Sequence, residues 1–242
     1  MGTAVSIELV DDRPEAELRD LIGEVCGWLH EVDERFSTYK LDSEVMRFGR
    51  GELSTADCSA DLRHVLQACA DLWRDTDGYF DAYAAGPLDP SGYVKGWSVE
   101  VASARLLAAG STSHYINAGG DIRMRGSHPE GGPWRVGIRH PWESEKLSWV
   151  LALHDGAIAT SGTYERGDHV INPRTRKPAR GLKSVTLVGP DLAIADAYAT
   201  AALAMGEGAL TWLAKLAEAG YQSAVVTDDG RAFSSGKLPA AV

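Results

Sequence analysis

Cysteine is scarce in this chain: positions 26, 58 and 69 hold the only three in 242 residues. Cys26 and Cys69 are expected on apolar helix faces and Cys58 in a polar stretch, a scatter that suggests neither a disulfide framework nor a zinc site. Positive charge is short as well. Against 34 Asp and Glu stand 24 Lys and Arg, and the formal net charge of -10 argues against a general nucleic-acid binder. No apolar run is long enough to span a bilayer. The N-terminus has no basic segment, apolar core and cleavage site of the kind that marks a secretory signal. Met1-Gly2 with Ser6 formally fits a myristoylation pattern, but an early strand accounts for Ser6 equally well. Repeats, low-complexity stretches and obvious linkers are also missing. A reduced, cytoplasmic protein without a membrane span is the expectation.

What the chain does have is material for a core: 44% of its residues are hydrophobic. That suits a single domain over 1–242, or two closely packed lobes. Ala4–Val10 alternates like a strand, and Asp11–Pro14 turns into a long helix with Leu18, Leu21, Ile22, Val25, Cys26, Leu29, Val32 and Phe36 at helical spacing. Asp42 or Ser43 can cap a short helix. Ala60–Thr76 predicts a second amphipathic helix with Leu62, Val65, Leu66, Cys69 and Trp73 inward. A further helix is expected over about Trp97–Ala109. Strands are expected at His114–Ala118, Ile122–Arg125, Trp134–Arg139, Ser148–Leu153, Ala157–Thr160, Ser184–Val188 and Gln222–Thr227, with a helix near Gly208–Ala219. The class is α+β, with mixed or antiparallel sheets and flanking helices.

Chemistry concentrates between Ala159 and Thr200. His169 precedes an Asn-Pro turn, and Asp196 and Thr200, four apart, share one face of a predicted helix. A carboxylate and a hydroxyl so placed offer oxygens to a hard cation such as Mg2+. Alternatively, Asp196 serves the helix N-terminus and Thr200 packs against a neighbour. Lys95, placed near a helix N-terminus between glycines, suits a phosphate or is a solvated loop lysine. Ser37–Tyr39 can bond to and stack on a planar ligand, or is an ordinary turn. Gly119-Gly120 admits a ligand close to the backbone, or makes a tight turn. No Walker or Rossmann fingerprint is present.

In their joint order several stretches resemble the ApbE family, the FAD:protein FMN transferases. They are Ser37-Thr-Tyr-Lys with Asp42-Ser43, Asp77-Gly-Tyr-Phe-Asp81, Gly86-Pro-Leu88, Val94-Lys-Gly96, Asn117-Ala-Gly-Gly-Asp121, Thr160-Ser-Gly162, His169-Val-Ile-Asn-Pro173 and Ala195-Asp-Ala-Tyr-Ala-Thr200. The resemblance implies an enzyme that uses Mg2+ and FAD to attach FMN to a Thr or Ser of an acceptor flavoprotein, releasing AMP. It also implies that Asp196 and Thr200 hold the metal with backbone oxygens near Gly92 and Ala199. Met1, Tyr39, Tyr79, Phe80, Asp81, Asp89, Lys95 and the Val170 backbone would line the FAD site, and His169 matches the family's essential histidine. Whether His169 or a carboxylate is the base stays open. FAD hydrolysis to FMN and AMP, or FAD binding without catalysis, are the alternative readings. Unlike the family's usual pattern, the chain has no long insertion between Leu88 and Asp89, a short segment between Gly162 and His169, Asn172 where Asp is usual, and Gly49 where Asn is common.

Overall fold

The computed structural model describes residues 2–167 and 170–240, with only the backbone described at 165 and 166. Strand β1 (Val5–Leu9) leads into α1 (Glu15–Phe36), α2 (Glu44–Gly49), α3 (Ala60–Asp75) and α4 (Ser91–Ala108). Then follow β2 (His114–Ala118), β3 (Asp121–Arg125), β4 (Trp134–Arg139), β5 (Leu147–Leu153), β6 (Gly156–Gly162), α5 (Thr163–Arg166), β7 (Ile171–Asn172) and β8 (Lys177–Pro178). The chain continues through β9 (Leu182–Gly189), α6 (Leu192–Met205), α7 (Ala209–Leu216), β10 (Gln222–Thr227) and β11 (Ala232–Ser235). The fold is α+β.

Its frame is a seven-stranded sheet ordered β1-β2-β3-β6-β9-β10-β11, antiparallel at every pairing. Side chains alternate across such a sheet, so its faces bury different partners. Ile116, Ala118, Ala157, Ala159, Val185 and Leu187 face the helices and join the larger core. Ile122, Met124, Ile158, Val188 and Ala224 face the other way, against Trp134, Val136, Ile138 and Leu151 of the β4–β5 hairpin. The hairpin's β5 edge is covered by the chain's own tail, through Ala152 N–H donating to the Pro239 carbonyl at 2.7 Å and a bridge between Leu151 and Ala240. No described helix is long and apolar enough to cross a membrane.

Some sequence expectations need correction. In α1 the inward stripe includes Trp28, whose Nε1–H donates to the buried Ser98 carbonyl at 2.8 Å, while Cys26 is exposed. Two residues apart on an α-helix lie about 160° from each other, so an inward Trp28 leaves Cys26 facing solvent. Cys58 is buried despite its polar neighbours, and Trp73 is 51% exposed while Leu72 takes the core position. The largest difference is α4, which begins at Ser91 rather than near Trp97. Gly92 and Gly96, which read as loop, are helical here because the face they open is filled by α6.

A buried polar cluster ties the far end of β2 to α4. His114 Nε2 lies 2.8 Å from Ser103 Oγ, and its Nδ1 lies 3.3 Å from Ser111 Oγ. Ser111 Oγ in turn donates to Asp11, and Arg125 Nε donates to Ser103 Oγ at 3.0 Å. Burial, with Arg125 nearby, pushes the His114 imidazole down to about 4, so it is held neutral.

Candidate functional site

Helices α4 and α6 touch where Gly96 lies. A Cβ on that residue would fall 2.5 Å from the Leu192 carbonyl and 2.8 Å from Asp196 Cβ, so only glycine lets the helices meet this closely. Helix α6 is built for such contact, with alanines at 193, 195, 197, 199, 201, 202 and 204. Its N-cap is Asp191, whose carboxylate accepts the Ile194 N–H at 3.0 Å. The capping alternative for Asp196 therefore fails. Asp196 sits in the second turn, 2% exposed, and its Oδ2 accepts the Gly96 N–H at 2.9 Å. One turn on, Thr200 Oγ1 lies 3.3 Å from Ser161 Oγ on β6. A Cβ on Gly92 would lie 3.5 Å from the same Thr200 oxygen, so Gly92 and Thr200 are neighbours across the two helices. Ala199 is fully buried beside them.

Lys95 belongs to the second turn of α4, not to a loop ahead of it, and the solvated-loop alternative fails with that. Its Nζ lies 2.6 Å from Asp121 Oδ2 and 3.8 Å from Asp196 Oδ1. Asp121, fully buried at the start of β3, also accepts the Thr160 N–H through Oδ1 at 3.1 Å. Its Oδ2, although close to the ammonium, has no hydrogen bond among the described residues. Two buried carboxylates thus share one partly buried lysine ammonium. Burial raises the Asp196 pKa well above the ordinary carboxylate range, and the neighbouring Asp121 raises it further; Lys95 and the Gly96 N–H pull the other way.

Around this cluster the remaining sequence candidates divide. Phe80 is 3% exposed and meets Gly92, since a Cβ there would lie 3.4 Å from its ring. Asp81 accepts the Tyr83 N–H at 2.8 Å, and Asp89 accepts the Ser91 N–H at 3.0 Å, so these carboxylates shape the loop that delivers α4. Tyr79 lies under the Arg174 guanidinium, 4.3 Å from ring centre, which joins the 77–81 stretch to the turn after Pro173. The Val170 carbonyl accepts the Ala179 N–H at 2.8 Å. Tyr39 is 95% exposed, and its N–H donates to Ser37 Oγ at 3.3 Å. Met1 and His169 lie outside the described residues. Asp121 and Ser161 complete the cluster although their spacing in the sequence assigns them no role. Only Asp121 carried a signal, a carboxylate placed directly after two glycines.

Comparison with known proteins follows the same outline. The model of the ApbE family matches residues 1–88 and 83–224. The chain is 37% identical over 162 residues to the FAD:protein FMN transferase of Rhodobacter capsulatus, a match covering 63% of this chain and 30% of that protein's length. It is 27% identical over 290 aligned residues to the FAD:protein FMN transferase of Vibrio cholerae, covering 95% and 86%. The crystal structure of the ApbE protein of Thermotoga maritima superposes with a TM-score of 0.88 at 22% identity, covering 97% and 94% of the two chains. The flavin transferase ApbE of Vibrio cholerae superposes with a TM-score of 0.84 at 24% identity, with the same coverage.

Proposed function

The chain belongs to the ApbE family, and on that premise we propose that it transfers FMN from FAD to a Thr or Ser hydroxyl of an acceptor flavoprotein, with Mg2+ as cofactor. The observation that carries this reading is the convergence of Gly92, Lys95, Asp196 and Thr200 at the contact of α4 with α6. In the reaction the acceptor oxygen forms a bond to the FMN phosphorus, the bond from that phosphorus to the bridging oxygen breaks, and AMP leaves with the bridging oxygen. Such chemistry depends on positioning and on neutralising the pyrophosphate charge.

The residues present suit the metal. Among the described residues no group of three or more His, Cys, Asp or Glu could hold an ion, so this is no all-carboxylate cage. Mg2+ takes hard oxygens and commonly binds through one or two carboxylates together with substrate phosphates. The Asp196 carboxylate, the Thr200 hydroxyl and the carbonyls of Gly92 and Ala199 are such oxygens. The Gly96 N–H, which in a regular helix belongs to the Gly92 carbonyl, is engaged by Asp196, and a carbonyl has a second lone pair besides. Asp121 Oδ2, without a hydrogen bond among the described residues, and the crowding of two buried carboxylates on one ammonium also favour a cation. When bound, Mg2+ would neutralise pyrophosphate charge and polarise the phosphoryl oxygens. Lys95 would add a second positive group, aimed by Asp121. Tyr79, Phe80, Asp81 and Asp89 would shape the FAD site on the α4 side, with Met1, Tyr39 and the Val170 backbone closing it. His169 would take the acceptor proton. The stretch 1–242 acts as one ApbE-like domain in this reading, and its place is the cytoplasm.

The test is incubation with FAD, MgCl2 and threonine-bearing candidate flavoproteins, reading AMP by chromatography and FMN on the acceptor by mass. Stoichiometric AMP and covalently bound FMN are expected, with FAD preferred over NAD and riboflavin. AMP with free FMN alone would replace transfer by hydrolysis, and FAD binding without AMP would leave a carrier. His169→Ala should retain FAD while turnover falls by about 100- to 10,000-fold, the usual contribution of a general base; normal turnover would move that role to a carboxylate.

A further inference from the structure

On the opposite face of the sheet from Lys95 and Asp196 lies a concavity. It is a cleft of about 610 Å³ between the β1–β2 edge of the sheet and the β4 strand of the hairpin, lined among others by Val5, Asn117, Ile158, Thr160 and Arg135. β1 ends the sheet order, and among the described residues β4 pairs with β5 alone. The hairpin's two edges are treated differently. The tail covers β5, whereas no backbone hydrogen bond among the described residues covers the outer edge of β4. An open strand edge is a row of unpaired N–H and C=O groups, the surface to which an extended peptide adds.

The edge is marked by charge. Trp134, Val136 and Ile138 turn into the core, so Arg135, Gly137 and Arg139 share the outer face and are exposed. Both arginines line the cleft, and neither has a hydrogen-bond or ion-pair partner among the described residues. In a chain of net charge -10, two guanidiniums four residues apart on one strand face, without carboxylate partners among the described residues, give this edge a local basic character. Directly opposed side chains on paired strands have Cβ atoms roughly 4.5–5.5 Å apart. A strand added to β4 therefore sets every second side chain beside Arg135, Gly137 and Arg139, with carboxylates favoured at positions four apart. At its end the cleft reaches Gly119, Gly120 and Tyr164. Thr160 faces the cleft while its N–H holds Asp121, and its neighbour Ser161 holds Thr200 from the other side. The cleft and the carboxylate cluster are thus two sides of the last residues of β6.

We propose that this cleft docks an extended, acidic segment of the acceptor polypeptide, added as a strand to β4 with its carboxylates on Arg135 and Arg139. The assignment rests on the reading of the chain as a transferase acting on a protein. The segment's hydroxyl residue then rounds the sheet end at Gly119-Gly120 to reach Lys95 and Asp196.

Two fluorescein-labelled threonine peptides of alternating small residues test it by anisotropy, one with aspartates four apart and the other with lysines at those positions. Long-range attraction to an acidic chain favours the lysine peptide, so only a local basic edge reverses the order. The aspartate peptide is expected to bind at least about tenfold more tightly, and Arg135→Gln with Arg139→Gln to erase that preference while melting temperature and FAD titration stay unchanged. Tighter or equal binding of the lysine peptide overturns the proposal. So does the absence of saturable binding by the aspartate peptide at millimolar concentration, or a preference that survives in the double variant. Neither FAD nor turnover enters the measurement. Transfer without peptide preference therefore refutes the docking site alone, and peptide preference without transfer refutes the transferase reading alone.

Discussion

Two buried polar clusters stand at opposite ends of the β2–β3 pair, where His114 faces Arg125 in register at one end and Ala118 faces Asp121 at the other. They solve the same problem in contrary ways. Around His114, both ring nitrogens and the hydroxyls of Ser103 and Ser111 are engaged, and the imidazole is neutral. Around Asp121, two carboxylates crowd one ammonium and a buried oxygen lacks a hydrogen bond. Buried polar groups are almost always satisfied, because each one left unpaired costs about 1–3 kcal/mol. A closed network is what a fold needs to hold itself together. The open one is tolerated at a cost that an incoming cation or phosphate can offset.

The sharpest way to break the comparison is Asp196→Asn. It removes the negative charge while keeping an oxygen for the Gly96 N–H. AMP release should fall by on the order of 100-fold or more, the scale for losing one electrostatic contact to the transition state. The ligand-free protein should melt at or above the wild-type temperature, because a buried like-charge contact has been relieved. A drop in melting temperature with unaltered AMP release would make Asp196 a structural residue.

Proton linkage probes the other cluster. The His114 pKa is lowered from 6.5 to about 4 in the folded chain. Between those values the unfolded chain binds a proton that the folded chain refuses, so stability falls as pH falls through that window. The contribution is intact above 6.5, and roughly 2 kcal/mol of it is gone by pH 5. Urea titrations at pH 7 and pH 5 on the wild type and His114→Gln measure it. The variant should show a pH dependence weaker by that amount, and equal slopes would mean that His114 is not a buried neutral group.

Of similar size in stability, and smaller in activity than Asp196→Asn, is the effect expected of Gly96→Ala. Its methyl would meet the Leu192 carbonyl and Asp196 Cβ, forcing α4 and α6 apart. Overpacking of this kind typically costs about 1–3 kcal/mol. Because the shift moves Asp196 away from Lys95, AMP release should decline more than the same loss of stability causes when introduced at Cys26, which is exposed on α1.

Hydrophobic period reveals most of the elements without any tertiary information. His114–Ala118, Trp134–Arg139 and Gln222–Thr227 occur as strands at the boundaries their alternation predicts. The start of α4 does not follow from local pattern, because Gly92 and Gly96 disfavour helix in isolation and are helical only where α6 packs against them. The site shows the same division. Asp196 and Thr200 are visible as one helical face through their spacing, and Lys95 as a cation among glycines. The pairing of Lys95 with Asp121 requires β3 to lie against α4, a juxtaposition that spacing does not encode. Likewise the open edge of β4 becomes visible only when the tail is seen to cover β5.

The hydrogen bond from Gly96 to Asp196 joins residues 100 positions apart. On a ribosome adding about 5–20 residues per second, α6 follows α4 by on the order of 5–20 seconds. In that interval Lys95 can already meet Asp121, which lies only a short way along the chain, but the cluster still lacks Asp196 and Thr200. A growing chain is therefore neutralised before it is competent. The cluster closes only when α6 arrives, so a nascent or prematurely stopped product ending before α6 would carry the paired lysine and neither Asp196 nor Thr200.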